Sequence, residues 1–75
     1  MEDLRMKIEI GAMVNGVFVK KGDIVKIRHK EAENRNGFYA TVTDVSEKRI
    51  YFFADNEENE DYFYWNELDF VKLVQ

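Results

Sequence analysis

The stretch from Lys21 to Ala54, KGDIVKIRHKEAENRNGFYATVTDVSEKRIYFFA, constrains the fold more than any other part of the chain. Its apolar residues fall in three runs of five to eight residues, separated by Lys-Gly-Asp, Asn-Arg-Asn-Gly and Ser-Glu-Lys-Arg. Runs this short, rich in β-branched and aromatic residues and bounded by turn formers, are strands. No stretch of the chain accommodates a confident helix of ten residues. The expectation is an all-β domain built on a small antiparallel sheet.

Side-chain alternation assigns the faces. In Ile24–Lys30, Val25 and Ile27 point to a core while Lys26, Arg28 and Lys30 face water. Ile24 then shares the outer face, beneath the N-terminal segment. Asn36-Gly37 invites a turn with positive φ. In Phe38–Val45, Ala40 and Val42 share a face, and Val45 is out of phase, which predicts a bulge near Thr43 or Asp44. In Ile50–Ala54, Ile50, Phe52 and Ala54 lie on one face and Tyr51 and Phe53 on the other. Tyr62–Trp65 follows an acidic loop, Asn66–Asp69 reads as one helical turn, and Phe70–Val74 as the last strand. Upstream, Lys7–Ile10 alternates as a short strand. Residues between Gly11 and Val19 form either a hairpin turning at Asn15-Gly16 or an irregular arm. The expected core is Val25, Ile27, Ala40, Val42, Ile50, Phe52, Phe63, Trp65, Leu68, Val71 and Leu73.

A chain of 75 residues and 9.0 kDa is one domain at most. Scaling laws have it bury roughly 60% of its extended-chain surface, enough for one thin core. With no cysteine, disulfides, Cys-ligated zinc and thiol chemistry are excluded. No signal peptide and no apolar run of about 18 residues is present, so the expectation is a cytoplasmic protein, with no membrane partner, starting at its natural Met1. Charge is uneven. Residues 1–37 carry eight basic and six acidic side chains (+2), and residues 38–75 three basic and nine acidic (−6). A net charge of −4 argues against a general nucleic-acid binder but allows a local basic face.

The order of these features resembles the SH3-like small-barrel superfamily, including Tudor-like and KOW-like domains. A Gly-Asp turn feeds the Val25-x-Ile27 strand, Gly37 opens a strand with Ala40 and Val42, and Trp65-x-x-Leu68 leads into a last short strand. The resemblance implies a closed barrel of five to six short strands over residues 20–75, with a one-turn 3-10 helix before the last strand. Residues 1–19 would be an extension or hairpin packed on the barrel. One Trp and no Pro depart from proline-peptide-binding SH3 domains. An aromatic cage of the Tudor type would draw on Tyr51, Phe53, Tyr62 and Tyr64.

Three constellations are candidates for function. Tyr51, Phe53, Tyr62 and Tyr64 can share one outer surface, suited to packing on a protein, gripping a cation or stacking a base. The economical alternative is that Ile8, Ile10, Val17 and Val19 cover it. In the loop Asp55–Asp61, whose Glu57, Glu58 and Asp61 are candidates for meeting a protein partner, Asp55, Glu57, Asn59 and Asp61 alternate oxygen donors as a calcium loop does, but Glu60 and Asn66 stand where such a loop needs Gly and Glu. It reads better as a solvated loop or an acidic contact patch. Lys26, Arg28, Lys30 and Arg35 could meet phosphates. His29, the single histidine, lacks a companion for metal or triad chemistry.

The resulting expectation is a non-enzymatic module without cofactor or metal, of the size of a bacterial or phage accessory protein. It would bind a protein, or a second copy of itself, through the aromatic and acidic surface. The alternative is nucleic-acid binding through the basic face.

Overall fold

The computed structural model describes residues 11–14 and 16–74. Strands β1 (Gly11–Val14) and β2 (Val17–Lys20) pair antiparallel with Val14 opposite Val17. The link is therefore a two-residue hairpin loop, in which Gly16 takes φ 83°. The hairpin alternative holds over the arm, while the strand expected at Lys7–Ile10 lies outside the described residues.

The turn after β2 joins the hairpin to the main sheet. Lys20 N and Nζ each donate to Asp23 at 3.0 Å, and Gly22 N and Asp23 O exchange 2.8 Å hydrogen bonds with Val42 O and N respectively. Then follow β3 (Ile24–His29), β4 (Phe38–Val45), β5 (Arg49–Ala54), β6 (Glu60–Tyr64), a 3-10 turn (Trp65–Glu67) and β7 (Leu68–Leu73). The 3-10 turn precedes the last strand as expected, beginning at Trp65 rather than Asn66. The five strands form one antiparallel sheet in the order β6-β5-β4-β3-β7. A register shift between Val42 and Asp44 is the expected bulge, and it turns Val45 inward to 8% exposure.

One face of this sheet is the core. Val25, Ile27, Ala40, Val42, Ile50, Phe52 and Val71 are buried on it, and the hairpin lies across it, contributing the fully buried Val19. Phe63, Trp65, Leu68 and Leu73, expected in the core, are half-buried at its margin. Trp65 Nε1 donates to Ser46 O at 2.8 Å, satisfying the indole while its ring packs.

The closed SH3-like barrel is not found. Among the described residues seven strands, rather than five to six, form two open sheets, because β6 and β7 at the two edges do not pair and the hairpin makes a separate two-stranded sheet. The edge of β6 is also blocked locally. Trp65 N donates inward to Lys48 O, so alternation turns the amides of Tyr64 and Tyr62 away from β5. These amides donate instead to Glu67 Oε1 (3.0 Å) and Asp61 Oδ1 (2.8 Å). Donors satisfied by side chains have no need of a neighbouring strand.

Candidate functional site

The outer face of the five-stranded sheet is aromatic and open. Cross-strand pairing sets Ile24 beside Thr41, Thr41 beside Phe53, and Phe53 beside Glu60. The flanking rows are Lys26–Tyr39 on one side and Tyr51–Tyr62 and Arg49–Tyr64 on the other. Exposure is 52% at Ile24, 48% at Tyr39, 41% at Phe53, 43% at Tyr62 and 40% at Tyr64. The cover expected from Val17 and Val19 is absent, because both pack on the opposite face of the sheet. Their side chains follow the buried register of the hairpin. Ile8 and Ile10 lie outside the described residues.

The face is organised by a residue that the sequence reading passed over. The Arg49 guanidinium carbon stands 5.6, 5.1 and 5.5 Å from the ring centroids of Tyr51, Tyr62 and Tyr64. Tyr62 lies 5.8 Å from both other rings, edge-on to Tyr64 and tilted against Tyr51. Rings present their negative faces to cations, so the cluster holds Arg49 electrostatically. Among the described residues the guanidinium has no carboxylate within salt-bridge range and donates no hydrogen bond to a side chain or carbonyl. Its donors are oriented yet unengaged. The signal was available: Arg49 shares strand parity with Tyr51 and Phe53.

The acidic loop leaves the other end of β5, with Asp55 beside Phe53 and Tyr39 on the outer face and Glu57 and Asp61 toward the core side. Asp55, Glu57, Glu58 and Asp61 are exposed and in no ion pair among the described residues. Glu60 accepts a hydrogen bond from the Thr43 hydroxyl, tying β6 to β4 across β5. The loop also overhangs a recess of about 580 Å³ floored by Phe38, Phe52 and Phe63.

The basic constellation is broken up. Arg28 is used within the fold, donating to Asp69 Oδ2 (2.8 Å), Ala32 O (2.8 Å) and Asn34 O (3.2 Å). Lys26 lies over Tyr39 at 5.4 Å from its centroid. Lys30 and Arg35 stay exposed in the β3–β4 loop. His29 Nδ1 accepts from Glu31 N at 3.0 Å, its ring meets Phe63 edge-on at 5.0 Å, and Nε2 points toward Glu67 Oε2 at 3.9 Å. Each contact fixes the imidazole in place.

Among the described residues no group of three or more His, Cys, Asp or Glu side chains is arranged to hold a metal ion. No helix among them is long and apolar enough to cross a membrane. Neither protein-family models nor curated proteins nor solved structures match the chain significantly. The fold and the site define a small all-β domain of two open antiparallel sheets with an exposed aromatic face, a surface consistent with protein interaction.

Proposed function

We propose that the chain is a non-enzymatic interaction module that binds protein through the outer face of its five-stranded sheet. The observation that carries this reading is the Arg49–tyrosine cluster. Tyr and Arg dominate the energetic centres of protein interfaces because each joins a large contact area to directional donors. Here three tyrosines already restrain the guanidinium, which lowers the entropy lost when a partner engages it. Phe53, Tyr39 and Ile24 extend the same surface with apolar area.

The non-enzymatic part rests on how the reactive groups are used. His29 is held by the Glu31 amide and Phe63, and Asp69 holds Arg28. Nucleic-acid binding is the weaker alternative, since Arg28, the centre of the basic row, is engaged on three protein acceptors.

A photo-crosslinking side chain at Tyr62, compared with one at Arg35 in the β3–β4 loop, tests the proposal in cells that make the protein. Protein–protein adducts from position 62 and none from 35 are expected. Nucleic-acid adducts from 35, with nothing from 62, would overturn it in favour of the basic loop.

A further inference from the structure

We infer that the free edge of β7 is a second binding site, which takes an extended peptide segment of a partner protein as an added strand. The site is separate from the outer-face reading above and does not rest on it. Only one of the two edges of the five-stranded sheet is capped. Val74 N donates to Ile24 O at 2.9 Å, so the antiparallel ladder makes Lys26 with Lys72 and Arg28 with Phe70 its hydrogen-bonded pairs. Alternation then turns the N–H and C=O groups of Val71 and Leu73 away from β3. Among the described residues nothing bonds to them, whereas Asp61 and Glu67 take the outward amides of Tyr62 and Tyr64 on β6. An edge with free donors and acceptors pairs with an extended backbone.

A groove of about 470 Å³ accompanies this edge, between residues 68–71 of β7 and residues 12–14 of β1. Trp65 and Glu47 line it as well, at the end where β7 begins. An added strand rises about 3.3 Å per residue and alternates its side chains, so about five residues cover β7 and place two or three side chains over the groove. Ala12, Val14, Leu68 and Val71 make those positions apolar. Met13, 66% exposed, gains cover from the same segment. Charge sets one further position. No basic residue lines the groove, Asp69 is held by Arg28, and Glu47 is exposed and in no ion pair among the described residues. A Lys or Arg beyond the apolar positions complements Glu47. In antiparallel pairing, the more stable sense, it lies toward the C-terminal end of the segment.

A second copy of the chain does not supply such a strand. Each strand of a folded copy has committed its core-side residues: Val71 and Val19 are buried, and Val14 and Leu73 pack against the same core. Joining two β7 edges would pair backbones and leave both grooves unfilled. The groove calls for a segment whose side chains are free on both faces, which is one outside a folded sheet.

Hydrogen exchange of the intact monomeric chain, followed by NMR, reads the edge directly. The amides of Val71 and Leu73 are expected to exchange at least about tenfold faster than those of Phe70 and Lys72. Selection of a phage-displayed library of random short peptides on the immobilised chain then supplies the ligand. Enriched peptides are expected to alternate apolar and polar residues, to carry Lys or Arg toward the C-terminal end, and to slow exchange at Val71 and Leu73. Leu73→Pro removes one edge N–H, while Leu73→Ala removes similar packing and keeps it. The Pro variant should bind the selected peptide about tenfold more weakly than the Ala variant. Glu47→Gln should weaken binding about threefold. Circular dichroism establishes that each variant is folded, and the exchange pattern of the wild type decides if Leu73→Pro is not.

Amides of Val71 and Leu73 as slow as their neighbours in the free monomer overturn the inference, because the edge is then already paired. So does a library from which nothing is enriched, or a peptide that binds Leu73→Pro and Leu73→Ala equally. Protection that appears only as the chain dimerises assigns the edge to a second copy and overturns the partner peptide. Adducts from position 62 report on the outer face, so that reading stands or falls separately.

Discussion

Arg28 on β3 and Asp69 on β7 join strands 41 residues apart in sequence, through a 2.8 Å hydrogen bond from Nη1 to Oδ2. The same guanidinium donates to the carbonyls of Ala32 and Asn34, so one side chain fixes both the strand pair and the loop between β3 and β4. The Arg28 side chain is largely covered although Asp69 is half exposed, so the hydrogen bonds to the two loop carbonyls weigh more than the ion pair itself. Three acceptors spread around a planar fork suit Arg and not Lys.

Replacing Arg28 by Ala should therefore cost about 2 kcal/mol, read as a lower urea midpoint at unchanged slope. Arg28→Lys should recover less than half of that loss. If Arg28→Ala unfolds at the wild-type midpoint, the residue is free for an external partner, and the basic face returns as a candidate.

Two glycines separate conformational strain from steric conflict. Gly16 and Gly37 both have positive φ, 83° and 78°. A Cβ at Gly16 would meet nothing within 4 Å, whereas at Gly37 it would stand 2.4 Å from the Ile27 carbonyl oxygen. Gly16→Ala should cost only the left-handed backbone penalty, about 1 kcal/mol. Gly37→Ala adds a clash with backbone and should cost about 3 kcal/mol, lowering the melting temperature by roughly 15 °C. Equal losses in the two variants would mean that the β3–β4 loop gives way freely.

The sequence was legible wherever alternation met a one-sided core. Val25 and Ile27, Ala40 and Val42, and Ile50 and Phe52 each fall on the buried face, and even the bulge that turns Val45 inward showed as a break in phase. What alternation does not encode is whether a sheet closes. Here β6 and β7 stay apart, and the carboxylates of Asp61 and Glu67 take the outward amides of Tyr62 and Tyr64, local contacts that carry no mark in the apolar pattern. The hairpin's facing was likewise undetermined, since Val17 and Val19 suit either side of a sheet with apolar residues on both. In the candidate site the tyrosines are visible, but Arg49 falls within the turn Ser-Glu-Lys-Arg. Its place in the alternation with Tyr51 and Phe53 was the available signal.

Asp23 makes stability depend on acidity. Burial works to raise its pKa, but the Lys20 amide and ammonium outweigh it and hold the carboxyl below its ordinary 3.8. A carboxylate more acidic in the folded state stabilises the fold above its unfolded pKa, and that contribution disappears as pH falls through the folded one. The wild type should thus lose stability below about pH 4, and Asp23→Asn should lose less over the same interval. Parallel urea titrations at neutral and acidic pH measure the difference. Identical pH profiles for the two proteins would show that the Lys20–Asp23 turn contributes no linkage.

The carboxylates that block the β6 edge should also protect the protein from self-templated pairing. An edge strand with free amides is a site for adding another strand, and Tyr62, Phe63 and Tyr64 would make a sticky one. Asp61 and Glu67 occupy the outward amides of Tyr62 and Tyr64. Asp61→Ala with Glu67→Ala should cost about 1 kcal/mol and shorten the lag of fibril formation under agitation. Glu57→Ala with Glu58→Ala removes the same charge from a loop that caps no edge, so it separates edge exposure from reduced repulsion between molecules. If both pairs of substitutions shorten the lag equally, net charge alone protects the chain and the caps serve only the 3-10 turn. A shortened lag confined to the Asp61 and Glu67 pair ties solubility to the two hydrogen bonds that keep β6 from accepting a neighbour.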